Sequence, residues 1–306
     1  MIVQIIREST IDYPGKFGPL VLTKGCNFKC GFCHNAALNN AEDNINVDEF
    51  LKDIENQVKM GWYNGITISG GEPTLYSGLE DFLIKLKKIG LSVKLDSNGT
   101  NPEKLKKFLD LGLVDYIAMD IKGPRELYSQ ITNVPVDIEK IEESIKILSS
   151  LPDDKFEFRT TIPFIFENNK PRVMNKKEAE EMAKWIFDLI SSNNNINPPT
   201  QNFLLLQSQA NNTQEQKVFH PRMNSDELNI NYNKLINKNN IISEQGEQNN
   251  DVRWFLQAFV SRDKENINDC RLSVEELPKD LQKTPDSVIE ELKEVVGKYF
   301  KRVSVR

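Results

Sequence analysis

Cysteine is scarce in this sequence. There are four in 306 residues, and three of them, Cys26, Cys30 and Cys33, fall within eight positions. Such a cluster does not read as a disulfide framework, because the cysteines are not paired off across the chain. The fourth, Cys270, stands alone and is read as structural or incidental. No apolar run approaches the ~18 residues of a transmembrane helix, and residues 1–10 lack the long apolar region of a secretory signal. Nor is there an excess of positive charge. Lys and Arg number 39 against 45 Asp and Glu, a net charge of −6, which argues against a general nucleic-acid binder but leaves room for a local basic pocket. The expectation is a chain that spans no membrane, binds no nucleic acid and works in a reducing cytoplasm, where clustered free thiols persist. The composition is otherwise ordinary for a globular chain, at 39% hydrophobic and 27% charged. Its length suits one large α/β domain, alone or with an insertion.

From Gly18 short apolar or β-branched runs alternate with stretches of helical period, the pattern of βα repeats and a parallel sheet. Strands are expected at 19–23, 65–69, 91–96, 116–120, 155–161 and 253–260, with a last short one at 302–305. Helices are expected at 47–60, 79–89, 102–111, 137–148, 176–190 and 286–299. Gly90 should stop the second helix, and Asn101 followed by Pro102 should open the third. Residues 191–251 are rich in Asn and Gln and are read as a partly disordered insertion without chemistry of its own. The expected division is therefore 1–190 for the first five βα units, 191–251 for the insertion and 252–306 for completion of the barrel. Six βα units are too few for a closed eight-fold barrel. They fit an α/β fold of the partial (β/α)6 TIM type, whose site should lie at the C-terminal ends of the strands.

The unusual polar motifs fall at those ends. After the first strand comes Cys26-Asn27-Phe28-Lys29-Cys30-Gly31-Phe32-Cys33-His34-Asn35, spaced C-x3-C-x2-C. Three thiolates on one loop can hold three irons of a [4Fe–4S] cubane and leave the fourth iron open to a small molecule. Zinc held by the three cysteines and His34 is the competing reading, although adjacent ligands are atypical of zinc pairs. Ser69-Gly70-Gly71-Glu72-Pro73-Thr74 follows the second strand; the glycines permit close backbone approach, and Glu72 can accept from an ammonium group. Asp96-Ser97-Asn98-Gly99-Thr100 ends the third, where Asp96 and Asn98 can bond ribose hydroxyls or an ammonium. Asp120 and Lys122 end the fourth at i, i+2, so they share a face; Lys122 could pair with a carboxylate, with Asp120 orienting it or holding a cation. Arg159 on the fifth offers a rigid fork for the same carboxylate or for a partner's backbone. The competing reading of these charges is a buried ion-pair network at the barrel ends.

On CNFKCGFCHN, ISGGEPTL (68–75), VKLDSNGTNP (93–102), DYIAMDIKGP (115–124) and STIDYPGK (9–16), the chain resembles the radical S-adenosylmethionine (SAM) activating proteins of glycyl radical enzymes. Within these it is similar to the activating proteins of anaerobic ribonucleoside-triphosphate reductase and to pyruvate formate-lyase activating enzyme. The resemblance is strong up to about residue 163 and weak beyond it. It implies a partial barrel of the radical SAM type carrying a [4Fe–4S] cluster on Cys26, Cys30 and Cys33, with SAM at its open iron. Gly70, Gly71, Glu72, Asp96, Asn98, Asp120 and Lys122 are then the residues around SAM. It also implies an electron donor of flavodoxin or ferredoxin type and reductive cleavage of SAM to a 5′-deoxyadenosyl radical. That radical takes a hydrogen from a glycine of the partner, and residues 12–16 would line the opening where the partner's glycine loop enters. Where some activating proteins place a histidine near the adenine, this sequence has Gln257-Ala258-Phe259, so no site is assigned there. Two alternatives stay open: a radical SAM enzyme acting on a small molecule or nucleotide precursor, and a non-catalytic iron–sulfur or zinc binding protein.

Overall fold

The computed structural model describes residues 2–42, 45–167, 170–193, 253–257, 285–300 and 302–305. Apart from residues 191–193, which end a helix, the Asn-rich stretch 191–251 lies outside them. So do Cys270, His220 and residues 258–260 of the expected sixth strand.

Six parallel strands form the body of the sheet: β2 (Gly18–Thr23), β3 (Gly65–Gly70), β4 (Ser92–Ser97), β5 (Tyr116–Asp120), β6 (Phe156–Thr161) and β9 (Arg253–Gln257). They lie side by side in chain order, as βα repeats require when each crossover sets the next strand beside the last. The intervening helices are α1 (Val47–Lys59), α2 (Leu79–Ile89), α3 (Pro102–Asp110), α4 (Tyr128–Thr132), α5 (Ile138–Ser149) and α6 (Lys176–Asn193). After β9, α7 (Asp286–Val296) leads to β10 (Arg302–Val305), parallel to β9 at one edge. This is the partial (β/α)6 barrel expected from the sequence.

Three strands and one short α-helix were not expected. β1 (Ile2–Ser9) pairs antiparallel with β2 at the other edge. Its apolar residues do not alternate strictly, and only Ile2 is buried, so its sequence carries little strand signal. β7 (Phe164–Glu167) and β8 (Lys170–Val173) form a separate antiparallel hairpin, with Pro171 tolerated because the pair is all edge. The short α4 interrupts the β5–α5 connection. The predicted helix starts and stops are close to those observed. Asn101 caps α3 by position alone, without a side-chain cap bond.

Strand alternation divides the side chains into two environments. Ile68, Leu95, Ile117 and Phe156 stand in one register row, and Met119, Phe158 and Trp254 in another; all are fully or almost fully buried in the main apolar core. The opposite face is polar. Thr67, Lys94 and Tyr116 are register neighbours, as are Asp96, Ala118 and Glu157, and as are Asp120, Arg159 and Phe255. Closed barrels fill this interior with branched apolar residues; here it carries charge. Among the described residues no helix is long and apolar enough to cross a membrane.

Trp254 ties the last third of the chain to the first two. It is fully buried, donates its indole N–H to Thr160 Oγ1 at 3.1 Å, and packs on Phe158 at 5.9 Å and Phe300 at 4.9 Å between ring centroids. Trp254→Ala should cost about 3–5 kcal/mol of stability by cavity formation and loss of contacts. Urea unfolding followed by far-UV circular dichroism measures this. An unchanged midpoint would mean that β9 is not part of the cooperative sheet.

Candidate functional site

The cysteine loop leaves the C-terminal end of β2 and is held from three sides. Lys29 N donates to Thr132 O at 2.9 Å, at the end of α4. Phe28 is buried edge-on against Tyr128, 6.4 Å between centroids. Asn35 Nδ2 donates to Gly70 O at 3.0 Å. Cys26 is half-buried, Cys30 buried and Cys33 exposed, and all three are free thiols. Phe28 N donates to Cys26 Sγ at 3.4 Å. Burial pushes the Cys26 thiol up to about 11 and Cys30 up to about 12, and the Lys122 ammonium opposes both shifts. In the side-chain positions present, no three His, Cys, Asp or Glu among the described residues gather around one metal ion. The donor chemistry fits an iron–sulfur cluster: three unpaired thiols on one short loop, with an N–H already directed at one sulfur.

The Gly70-Gly71-Glu72 turn lies directly against this loop. Gly71 N donates to Thr23 O at 2.9 Å and Glu72 N to Gly25 O at 2.7 Å, which extends the β2–β3 pairing past the strand ends. Gly70 has φ +116°, and a Cβ there would meet Thr23 N at 2.3 Å; a Cβ on Gly71 would meet Gly25 O at 1.9 Å. Both positions therefore require glycine, because backbone packs against backbone. Glu72 is almost wholly buried. Its Oε1 accepts from Thr74 N at 3.1 Å, Thr74 Oγ1 at 2.6 Å and Ser97 Oγ at 3.0 Å, and its Oε2 from Asn98 N at 2.7 Å. Burial pushes its pKa up against these four donors. The sequence offered Glu72 to an ammonium; in the structure its carboxylate is engaged by the protein and joins the ends of β3 and β4.

Asn98 and the cysteine loop share a closed hydrogen-bond ring. Asn98 Nδ2 donates to Asn27 Oδ1 at 2.8 Å, Asn27 Nδ2 to Thr100 Oγ1 at 2.9 Å, and Thr100 Oγ1 to Asn98 Oδ1 at 2.7 Å. Thr100 N also donates to Asn98 Oδ1 at 3.0 Å.

Inside the mouth, the charges form one ladder alternating in sign. Lys94 pairs with Asp96 Oδ1; Arg159 bridges Asp96 Oδ2 at 3.1 Å and Asp120 Oδ1 at 3.0 Å; Lys122 Nζ donates to Asp120 Oδ2 at 2.9 Å. Burial alone would raise the Asp120 carboxyl, but Arg159 and Lys122 outweigh it and hold the group at about 2. Burial would lower Lys122; Asp120 and then Cys30 outweigh it, so the ammonium stays charged. Its side chain is 17% exposed. Of the two readings of Arg159, the structure bears out the ion-pair network: its fork grips Asp96 and Asp120.

Residues 12–16 lie elsewhere. Tyr13 packs against Tyr116 at 5.8 Å, and a Cβ on Gly65 would meet Lys16 Cβ at 2.6 Å. Both contacts are at the N-terminal ends of strands, opposite the rim that carries the cysteines. Sequence reasoning missed Tyr128, which supports Phe28, and the ring partners Asn27 and Thr100. It also missed Lys94, although Lys94 stands at i, i+2 from Asp96 just as Asp120 does from Lys122.

With this geometry in hand, the chain can be set beside known proteins. A family model described as the Radical SAM superfamily matches residues 20–175, just over half of the chain. Two proteins of Methanocaldococcus jannaschii, each bearing the provisional name glycyl-radical enzyme activating enzyme, are similar to it. One is 34% identical over 192 residues, covering 60% of this chain and 74% of that protein. The other is 31% identical over 186 residues, covering 58% of this chain and 69% of that protein. The GTP 3′,8-cyclase of Helicobacter pylori is 38% identical over 139 residues, covering 41% of this chain and 42% of that protein. The chain belongs to the radical SAM superfamily, whose cofactors are a [4Fe–4S] cluster and S-adenosylmethionine.

Proposed function

We propose that this protein is an activating enzyme that generates a glycyl radical on a partner enzyme, anaerobic ribonucleoside-triphosphate reductase. Cys26, Cys30 and Cys33 hold the cluster in this reading. When bound, the cluster and SAM supply the one-electron cleavage of the sulfonium that yields 5′-deoxyadenosine once a hydrogen has been taken from glycine, with the electron coming from a flavodoxin- or ferredoxin-type donor. The chain binds, orients and shields. Gly70 and Gly71 offer backbone along the methionine part of SAM. Glu72 and Asn98 hold the turns that shape the pocket, Asp96 stands at the rim, and Lys122, fixed by Asp120, presents its remaining N–H donors to the SAM carboxylate.

One observation carries the SAM assignment: the three thiols and the Lys122 ammonium, which opposes the burial of Cys26 and Cys30, share one strand-end rim. The activating role is supported by the 34% identical relative, of which 74% is covered. A second reading, SAM chemistry on a nucleotide precursor, is favoured by the 38% identity to a GTP 3′,8-cyclase.

The test that separates them mixes the reduced, cluster-loaded protein with SAM and anaerobic ribonucleoside-triphosphate reductase under anaerobic conditions. A glycyl-radical doublet in the electron paramagnetic resonance (EPR) spectrum of the reductase is the expected result. No doublet, with 5′-deoxyadenosine formed only when nucleotide is present, would favour the second reading.

Lys122→Met should fold, because Asp120 keeps its bond to Arg159. It should also bind SAM at least about tenfold more weakly, the scale of one charged hydrogen bond. Anaerobic equilibrium dialysis measures this, and an unchanged dissociation constant would remove Lys122 from the SAM site.

A further inference from the structure

Asn98 is 5% exposed and lies inside the rim, and its side chain is fully used. Its Oδ1 accepts from Thr100 N and Thr100 Oγ1. A backbone N–H can only donate, so the atom facing Thr100 N is the oxygen, and this fixes the amide orientation. The nitrogen therefore faces the cysteine loop. There Nδ2 donates one hydrogen to Asn27 Oδ1 at 2.8 Å and lies 3.9 Å from Cys26 Sγ with its other. Asn98 N is itself anchored on Glu72 Oε2, so the amide cannot turn away without breaking the Asn27–Thr100–Asn98 ring.

We infer that Asn98 is a positioning residue for the cluster, locking the cysteine loop to the end of β4 and raising the cluster's reduction potential through its N–H···Sγ bond to Cys26. The inference rests on the reading that Cys26 is a cluster ligand. Reduction adds negative charge to the cluster and its sulfurs. An N–H aimed at a ligating sulfur therefore stabilises the reduced form more than the oxidised one. Phe28 N, 3.4 Å from the same sulfur, acts in the same sense, so Cys26 receives two donors. Burial of the site works the other way, by disfavouring added charge. The asparagine amide offsets part of that opposition without bringing in a fixed charge that SAM binding would have to accommodate.

The test is the cluster's midpoint potential by EPR-monitored redox titration, with iron content measured alongside. Asn98→Ala removes the donor. Asn98→Asp keeps the acceptor for Thr100 and puts an oxygen where the nitrogen stood. Thr100→Val breaks the ring but leaves the Asn98 amide and the backbone bond from residue 100. The expected result is a lower midpoint in both Asn98 variants, on the order of tenfold in the reduction equilibrium, which is about 59 mV for one electron. Thr100→Val should keep the parent potential even if it loads less iron. Parent-like potentials in loaded Asn98 variants, or an equal drop in Thr100→Val, would overturn the inference while leaving the cluster assignment intact. If the Asn98 variants do not load, the parent protein decides the matter. Selective 15N labelling of asparagine should give a weak nitrogen coupling to the reduced cluster in electron spin echo modulation, and its absence would refute the bond. A parent protein that forms no cluster at all would instead sink the underlying reading.

Discussion

Among the charged side chains inside this barrel, five form one chain, and none of the five could remain there alone. An unpaired buried ion costs several kcal/mol, so Lys94, Asp96, Arg159, Asp120 and Lys122 are bearable only as a chain in which each charge faces its opposite. That requirement explains the distribution of residues along three strands. Lys94 and Asp96 stand two apart on β4, Asp120 ends β5 two residues before Lys122, Arg159 is the register neighbour of Asp120 on β6, and the apolar alternates pack into the core. The ladder ends on the Lys122 ammonium beside the cysteine loop. The barrel thereby carries a fixed cation to the rim that bears the three cysteines.

The second constraint is backbone proximity. Gly71 meets Gly25, and Gly70 meets Thr23, at distances no Cβ would allow. The turn after β3 is consequently part of the wall of the cysteine loop. Glu72 then connects this turn to Ser97 and Asn98, and Asn98 connects back to Asn27 within the cysteine loop. Three consecutive strand ends are thus closed into one rigid unit. Radical chemistry demands such a site, since a loosely held pocket would admit water and let the reactive centre attack its surroundings.

Much of this was legible in the sequence, for identifiable reasons. Parallel strands covered on both faces read as short apolar or β-branched runs, so the six barrel strands and their helices could be read within a few residues. The i, i+2 spacing of Asp120 and Lys122 announced a shared face, and they meet at 2.9 Å. What stayed hidden depends on tertiary contact. Nothing local marks Tyr128 as the support of Phe28, or Thr100 as the partner of Asn27 across 73 positions. Glu72 was legible as a polar group at the rim, but not as one whose partners are within the protein, whereas the ion-pair reading of Arg159 is the one the structure bears out. The edge strand β1 lacks a periodic signal because little of it is buried.

The most direct single measurement is the low-temperature EPR spectrum of the anaerobically reconstituted, dithionite-reduced protein, recorded with and without SAM. Cys30→Ala serves as the blank, and 5′-deoxyadenosine is assayed in the same samples. The predicted result is a reduced [4Fe–4S] signal that SAM shifts, accompanied by 5′-deoxyadenosine, with both absent in Cys30→Ala. A well-formed cluster that ignores SAM and yields no 5′-deoxyadenosine, or an unchanged signal in Cys30→Ala, would contradict the assignment of this rim as a SAM-cleaving site.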